Sequence, residues 1–268
     1  MTTIKGLDLD NQAQKINKWL DPPDPSNNLN AANEKRHEGT GSWFLNSKPF
    51  KEWKSGTRRC LWLYGIPGCG KTVLCSTIIE HLRQNQESPH VVLDFFFDFR
   101  EAEKQSLDNL IRSIVVQLYS RCENSRKEID TLFSQYEDGR QQPTTESLVK
   151  AFQHMTNQVE EIQIVIDALD ECKTRRELLL WVENISSSKD TRLCLLATSR
   201  AEEKIKSGLE RWLQQDNFIP IQQDAVNDDI RAYVRERVRN DHDFERWLSK
   251  PSVQDEIETE LMKKADGM

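Results

Sequence analysis

Apolar residues follow two alternating patterns through the central part of the chain. Between about residues 106 and 119 (SLDNLIRSIVVQLY) they recur at the spacing of one helix face. Elsewhere they form short continuous runs, which are typical of strands buried on both faces. These runs lie at 60–64, 91–97, 162–166, 193–197 and 217–221. Strands that alternate with helices predict an α/β fold with a doubly wound, five-stranded parallel sheet.

The two ends of the chain are more polar and predict helices without strands. Residues 11–20 predict a short amphipathic helix, and three prolines within 21–28 predict a linker after it. Residues 226–238 predict a helix that begins at a cap, Asn227 or Asp228. The predicted organisation is therefore a helical lead and linker (1–36), an α/β core (37–222) and the truncated start of a helical subdomain (223–268).

Composition and charge narrow the classes of protein. The 268 residues carry a net charge of −7, and no dense Lys/Arg stripe marks a nucleic-acid surface. We find no apolar stretch near the roughly 20 residues of a membrane span, and the N-terminus lacks the pattern of a signal peptide. The six cysteines follow no metal or disulfide spacing, which predicts reduced thiols in a cytoplasmic protein.

The segment after the first predicted strand carries the strongest chemical signal. Residues 65–72 read GIPGCGKT and fit G-x-x-x-x-G-K-[ST] at every fixed position. A strand precedes them and a helical pattern follows, which is the context of a phosphate-binding loop. The alternative is an ordinary glycine-rich turn with an exposed lysine. The candidate nucleotide-binding residues are Gly65, Ile66, Pro67, Gly68, Cys69, Gly70, Lys71, Thr72 and Val73.

The residue types of this loop explain its predicted chemistry. Glycines allow the backbone to wrap closely, so that its N–H groups and the positive end of the next helix face phosphate oxygens. Lys71 is expected to reach the β- and γ-phosphates, and the Thr72 hydroxyl to coordinate Mg²⁺. Cys69 is either a reactive thiol or a small residue that the loop tolerates.

A second chemical stretch follows the third predicted strand, in EIQIVIDALDEC (161–172). Ligands of parallel sheets bind beyond the carboxyl ends of the strands, so these acids and the loop are expected to face one crevice. Asp167 is expected to hold Mg²⁺, and either Asp170 or Glu171 to orient the attacking water. An acidic helix cap after a strand is the alternative.

Arg200 ends the fourth predicted strand, in LLATSR (195–200). An arginine at a strand end next to a phosphate site could sense the γ-phosphate. An arginine on a solvated loop is the other interpretation that the local sequence allows.

Together these motifs resemble the NACHT nucleotide-binding domain of STAND-class P-loop NTPases. The chain is most similar to the NOD-like receptors of filamentous fungi, often described as nephrocystin-3-like N-terminal domains. The resemblance runs from about residue 37 to the end, and its motifs lie at 39–45, 62–79, 95–100, 105–118, 165–172, 195–200, 228–238 and 265–268.

This resemblance implies several further expectations. The TSR strand should lie between the loop strand and the acidic strand, which brings Arg200 between Lys71 and Glu171. The cofactors should be ATP or GTP with Mg²⁺, and the lack of an Asn-Lys-x-Asp motif favours ATP. Slow hydrolysis should switch a signalling receptor of innate immunity, which self-associates and carries effector and repeat domains outside this chain. Gly39 and Thr40 are candidates for contact with the base or ribose.

Two other functions fit the same loop. A small-molecule phosphotransferase would need an acceptor site and a basic lid, and no arginine-rich lid is evident. A non-hydrolysing nucleotide-binding scaffold would not need the acids at 167, 170 and 171. The slow NTPase is therefore the predicted activity.

Overall fold

The computed structural model describes residues 4–85, 90–187, 193–221 and 223–265. Within these ranges the chain forms five strands: β1 (Cys60–Tyr64), β2 (His90–Phe96), β3 (Glu161–Asp167), β4 (Leu193–Ser199) and β5 (Phe218–Pro220). The helices are α1 (Ile4–Leu20), α2 (Ser26–Lys35), α3 (Ser42–Leu45), α4 (Lys48–Lys54), α5 (Lys71–Gln84), α6 (Leu107–Arg121), α7 (Arg126–Gln135), α8 (Thr145–Thr156), α9 (Arg175–Ser187), α10 (Glu203–Leu209), α11 (Gln223–Asn240) and α12 (Pro251–Ala265).

The five strands form one parallel sheet in the order β2-β3-β4-β1-β5. The predicted fold class is confirmed, with strand ends that differ by no more than two residues from those predicted. β4 lies between β1 and β3, as the family resemblance implied. The carboxyl ends of β1, β3 and β4 therefore meet at one edge of the sheet.

Helices cover both faces of the sheet, because the side chains of each strand alternate between two cores. Ile164 of β3 and Leu195 of β4 lie in a core that includes α1, α6, α8 and α9. Their neighbours Val165 and Leu196 lie in the opposite core, with α2, α4 and α5. Burial on both faces is why the strands read as continuous apolar runs.

The N-terminal helices pack on the central layers. Trp19 and Leu20 of α1 are buried in the core that contains α6. Leu29 of α2 is buried with Leu74 and Ile78 of α5. The divisions of the chain at residues 36 and 222 stay predictions. Residue 222 lies outside the described residues, as do residues 266–268 of the motif predicted at 265–268.

Three predictions about helix starts were wrong. Helix α1 begins at Ile4 and not at residue 11. The predicted linker 21–28 is shorter than expected, because α2 begins at Ser26 directly after Pro25, and proline is compatible with a helix start. Helix α11 begins at Gln223, so Asn227 and Asp228 lie inside it and do not cap it. No helix breaker occurs between residues 223 and 226, which allows the helix to extend toward the N-terminus.

One edge of the sheet, strand β2, is protected by side chains of α6. The Gln117 amide accepts a hydrogen bond from Asp94 N–H (3.1 Å) and donates one to Asp94 C=O (2.8 Å). Arg121 donates to the carbonyl of Val92. These contacts satisfy backbone groups that a neighbouring strand would otherwise bind, which removes a template for aggregation.

Replacing Gln117 by alanine is expected to lower the free energy of unfolding by about 1–2 kcal/mol, because two backbone groups of β2 lose their partners. Urea unfolding measures this loss. Gln153→Ala, at an exposed position of α8, is the matched control and should change stability by less than about 0.5 kcal/mol. Equal stabilities of the two variants would show that water replaces the Gln117 amide without cost.

Candidate functional site

The segment 65–70 forms a tight loop between the end of β1 and the start of α5. Gly68 and Gly70 have φ angles of 82° and 81°, a left-handed conformation that favours glycine. A Cβ atom at Gly65 would lie 2.6 Å from Cys69 Sγ, so this glycine is required by close packing. The first N–H groups of α5 have no acceptor within the helix, and this is the geometry that binds phosphates.

Lys71 occupies the hollow of this loop. Its Nζ donates to the carbonyls of Gly65 (3.0 Å) and Ile66 (2.7 Å) and lies 3.6 Å from Cys69 Sγ. Among the described residues, no carboxylate lies within 4 Å of this ammonium group. Its hydrogen-bond partners are thus neutral groups, and an anion in the loop would be a stronger partner.

Asp167, the last residue of β3, joins the loop helix to β4. Its carboxylate accepts hydrogen bonds from Thr72 Oγ1 (2.7 Å) and Thr198 Oγ1 (2.5 Å), and Cys75 Sγ lies at 3.5 Å. Burial raises the pKa of Asp167 above its ordinary value, and the hydrogen bonds from both hydroxyls act in the opposite direction. The structure thus brings together Thr72 and Asp167, the two residues predicted to hold a metal.

The chain turns sharply after β3 and separates the two remaining acids. Ala168 has a φ of 57°, and residues Leu169–Glu171 form a single 3₁₀ turn. Asp170 is almost fully buried. One of its carboxylate oxygens accepts a hydrogen bond from the backbone N–H of Arg200 (3.0 Å), and the other lies 3.1 Å from Arg200 Nε. The side chain of Arg200 is half-exposed, so it is anchored at Nε while its end reaches solvent.

Glu171 has a different environment from Asp170. One of its oxygens accepts a hydrogen bond from the backbone N–H of Phe99 (2.8 Å), in the loop after β2. Partial burial raises the pKa of Glu171, and the neighbouring carboxylates of Asp170, Asp98 and Asp167 act in the same direction. Glu171 is therefore an acid held by a single backbone hydrogen bond and paired with no cation in the described part of the chain.

A cavity opens beside the loop, and sequence reasoning located only part of its lining. Its walls come from the segment 35–43, from residues 68–74 of the loop and α5, and from α11. Thr40 and Val73 line it, as does Trp43, whereas Gly39 does not. Asp229 of α11 accepts a hydrogen bond from Gly41 N–H (2.9 Å), and this contact closes the wall.

Three contacts of the site carry no signal in the sequence. The Cys75 thiol faces Asp167, the Phe99 backbone holds Glu171, and α11 closes the cavity. The contact between Cys75 and Asp167 follows from the helical spacing of Thr72 and Cys75 only when Asp167 is already known to lie next to α5. The others depend on tertiary packing of segments far apart in the chain. Arg200 lies at the strand end where it was predicted, but its partner Asp170 was not foreseen.

The donor set fits a Mg²⁺-nucleotide. A hydroxyl and a carboxylate, joined at 2.7 Å, supply the hard oxygen ligands that Mg²⁺ prefers. Within the described residues, no group of three His, Cys, Asp or Glu side chains could hold a metal by itself. Mg²⁺ in nucleotide sites is typically bound by one or two protein oxygens plus phosphates and water.

A phosphate-binding loop on a parallel sheet, with an acid at the end of β3, defines the P-loop NTPase class. Comparison with known sequences gives the family. The family model described as "Nephrocystin 3, N-terminal" matches residues 39–200, which is more than half of the chain, and the protein belongs to this family. The resemblance on which the sequence interpretation rested is thereby confirmed.

Two further comparisons add relatives of different kinds. The chain is 25% identical over 233 residues to the vegetative incompatibility protein HET-E-1 of Podospora anserina, a match that covers 81% of this chain and 16% of that protein. Among solved structures, it is similar to the ORC2 protein of Aeropyrum pernix, in ADPNP and ADP complexes, with a TM-score of 0.44, 13% identity and coverage of 75% and 50% of the two chains. PCH-2 of C. elegans gives a TM-score of 0.31, 14% identity and coverage of 89% and 50%.

The membrane prediction was also tested. In the ranges that the structure describes, none of the helices combines the length and the apolar character needed to cross a bilayer.

Proposed function

We propose that this chain is the nucleotide-binding module of a signalling switch, which binds ATP or GTP with Mg²⁺ and hydrolyses it slowly. The observation that carries the proposal is the hollow of the 65–70 loop. There, among the described residues, the Lys71 ammonium is held by two backbone carbonyls and the Cys69 thiol, next to the positive end of α5 and the linked Thr72 and Asp167. Every group that a triphosphate with its metal requires converges on this point.

Each residue of the loop has a distinct role in this proposal. The backbone N–H groups of 65–72 bind phosphate oxygens, and Lys71 neutralises their charge. Thr72 and Asp167 hold Mg²⁺. The bound metal supplies charge neutralisation at the phosphates. The Thr72 hydroxyl donates its proton to Asp167, and its oxygen keeps lone pairs that would coordinate the ion.

The two candidate acids receive different roles. Asp170 is committed to the backbone and the guanidinium of Arg200, so it anchors the residue that contacts the γ-phosphate. Glu171 forms no ion pair within 4 Å among the described residues, and its raised pKa reflects a carboxylate that is a good proton acceptor. We therefore assign water orientation to Glu171.

The cavity beside the loop suits the nucleoside. Trp43 and Tyr233 offer aromatic surfaces, and Val73 and Ile230 are apolar. Asp229, the only carboxylate among the lining residues, already accepts the Gly41 N–H. The lack of an Asn-Lys-x-Asp motif in the sequence supports ATP over GTP.

The signalling role rests on the family and on the position of α11. Because α11 forms one wall of the cavity, the nucleotide would touch both the P-loop core and the C-terminal helices. A change at the phosphates could then alter the orientation of these helices. The chain spans 16% of HET-E-1, so the effector, the repeats, self-association and a cytoplasmic role in immunity belong to the proposal for the whole receptor.

The first test is to identify the nucleotide that copurifies with the protein. The protein is denatured and the supernatant is analysed by mass spectrometry. ADP or ATP at about one equivalent would support a switch that is held loaded, and GDP or GTP would reverse the base assignment. For empty protein, titration with fluorescent ATP and GTP analogues decides, and no binding of either would refute the proposal.

Removal of Mg²⁺ gives an independent prediction. Excess EDTA is expected to weaken ATP binding about tenfold or more, because Thr72 and Asp167 can act only through the ion. In Thr72→Val, which is nearly isosteric, the affinity should be low with or without EDTA. Isothermal titration measures both. Wild-type affinity that is equal with and without EDTA would contradict the assigned metal ligands.

A further inference from the structure

Helix α2 contacts the loop that connects β2 to α6, residues 97–106, through the side-chain amide of Asn28. Asn28 Nδ2 donates to Asp98 Oδ2 (3.1 Å), and Asn28 Oδ1 accepts from Lys104 Nζ (2.5 Å). Asp98 and Lys104 lie near the two ends of this connecting loop. The Asn28 side chain therefore forms hydrogen bonds with residues near both ends of the connecting loop.

The connecting loop is closed by its own hydrogen bonds around these two charges. Asp98 N–H donates to the carbonyl of Lys104 (3.1 Å), and Lys104 N–H donates to that of Glu101 (2.8 Å). Lys104 is 2% exposed, and its ammonium reaches only Asn28 and Glu101 among the described residues. Without Asn28 this buried ammonium would keep only Glu101 as a partner among the described residues, and burying a charge with fewer partners is costly.

The same loop holds the acid that the proposed function uses. Phe99 N–H donates to Glu171 (2.8 Å), and the Phe99 carbonyl accepts from Gln105 Nε2 (2.6 Å). The carbonyl of Gln105 in turn accepts from Lys173 N–H (2.7 Å), two residues after Glu171. The connecting loop is thus attached to the chain at Glu171 and just beyond it.

We propose that Asn28 is a positioning residue for hydrolysis: through Asp98 and Lys104 it fixes the connecting loop, whose Phe99 N–H orients Glu171. The inference rests on the proposed function, in which Glu171 orients water. It means that the N-terminal segment, far from the phosphates in sequence, sets the turnover rate. Helix α2 also packs on α5 through Leu29, so one short helix contacts both the phosphate-loop helix and the loop that holds the acid.

The test compares two substitutions of Asn28 with a matched control. Asn28→Ala removes both hydrogen bonds, and Asn28→Asp keeps the shape but turns the donor facing Asp98 into an acceptor. Asn27→Ala, on the same helix but exposed, is the control. Turnover of ATP, affinity for ATP and hydrogen exchange of the Phe99 amide are measured at a temperature where circular dichroism shows all proteins folded.

Both Asn28 variants are expected to lose about tenfold in kcat, since a small displacement of an orienting group is costly. Their ATP affinity should stay within about twofold of the wild type, because Lys71 and Thr72 are outside the network. Exchange of the Phe99 amide should accelerate, since the loop that carries it is no longer held next to its acceptor Glu171. Asn27→Ala should match the wild type in all three.

Two results would overturn the inference while the proposed function stands: wild-type kcat in Asn28→Ala, or equal losses of kcat and affinity. Exchange at Phe99 that is unchanged in Asn28→Ala would overturn it whether or not the protein hydrolyses ATP. A wild-type protein that binds no nucleotide is a failure of the proposed function itself. The exchange measurement then still tests whether Asn28 controls the connecting loop.

Discussion

Lys71→Ala is expected to weaken ATP binding at least a hundredfold, about 2.8 kcal/mol, and to leave the fold intact. In the part of the chain that the structure describes, Nζ contacts only the carbonyls of its own loop and the Cys69 sulfur, so no other described element depends on it. In the bound state the same atom would exchange neutral carbonyls for charged phosphate oxygens. This gain is present only in the complex, which is why affinity should fall and stability should not.

The measurement is isothermal titration with ATP and Mg²⁺, together with thermal unfolding of the empty protein. Lys51→Ala is the matched control, because Lys51 is exposed on α4, away from the loop. It should bind as the wild type does. If Lys71→Ala keeps wild-type affinity, the 65–72 loop is an ordinary glycine-rich turn and the site lies elsewhere.

The sequence allowed structural elements to be predicted wherever a residue type or pattern is typical of one local structure. The apolar runs predicted the five strands because both faces of the sheet are buried. The loop at 65–72 was recognisable because a left-handed turn favours glycine at 68 and 70, and because a lysine follows at the helix start. The position of Asp167 followed from the rule that ligands bind beyond the carboxyl ends of parallel strands.

Contacts between distant segments could not be predicted in the same way. The hydrogen bond from Phe99 to Glu171 uses a backbone N–H, which every residue except proline carries. No residue type in the sequence therefore indicates this contact. Asn28 lies in a stretch that read as a linker, where an asparagine is expected for its turn propensity alone. The structural roles of Phe99 and Asn28 depend on how α2 and the connecting loop pack against the sheet.

The two acids after β3 show the same limit at the centre of the site. Asp170 and Glu171 are adjacent and chemically similar, and the sequence left their roles open. The structure separates them by partner: Asp170 is bound to Arg200, and Glu171 to a backbone N–H. This difference is the physical basis for assigning them different roles.

Glu171→Gln is therefore expected to slow ATP hydrolysis by about 10²–10³-fold while ATP affinity stays within about twofold. The amide can still accept the Phe99 N–H, so the geometry is retained, but it cannot accept a proton from water. Single-turnover hydrolysis with labelled ATP measures the loss. Asp170→Asn is the matched comparison: it weakens the anchor of Arg200, so it should reduce turnover less and should also reduce ATP affinity. If turnover survives in Glu171→Gln and is lost in Asp170→Asn, the roles are reversed, and Arg200 must then be released from Asp170 before hydrolysis begins.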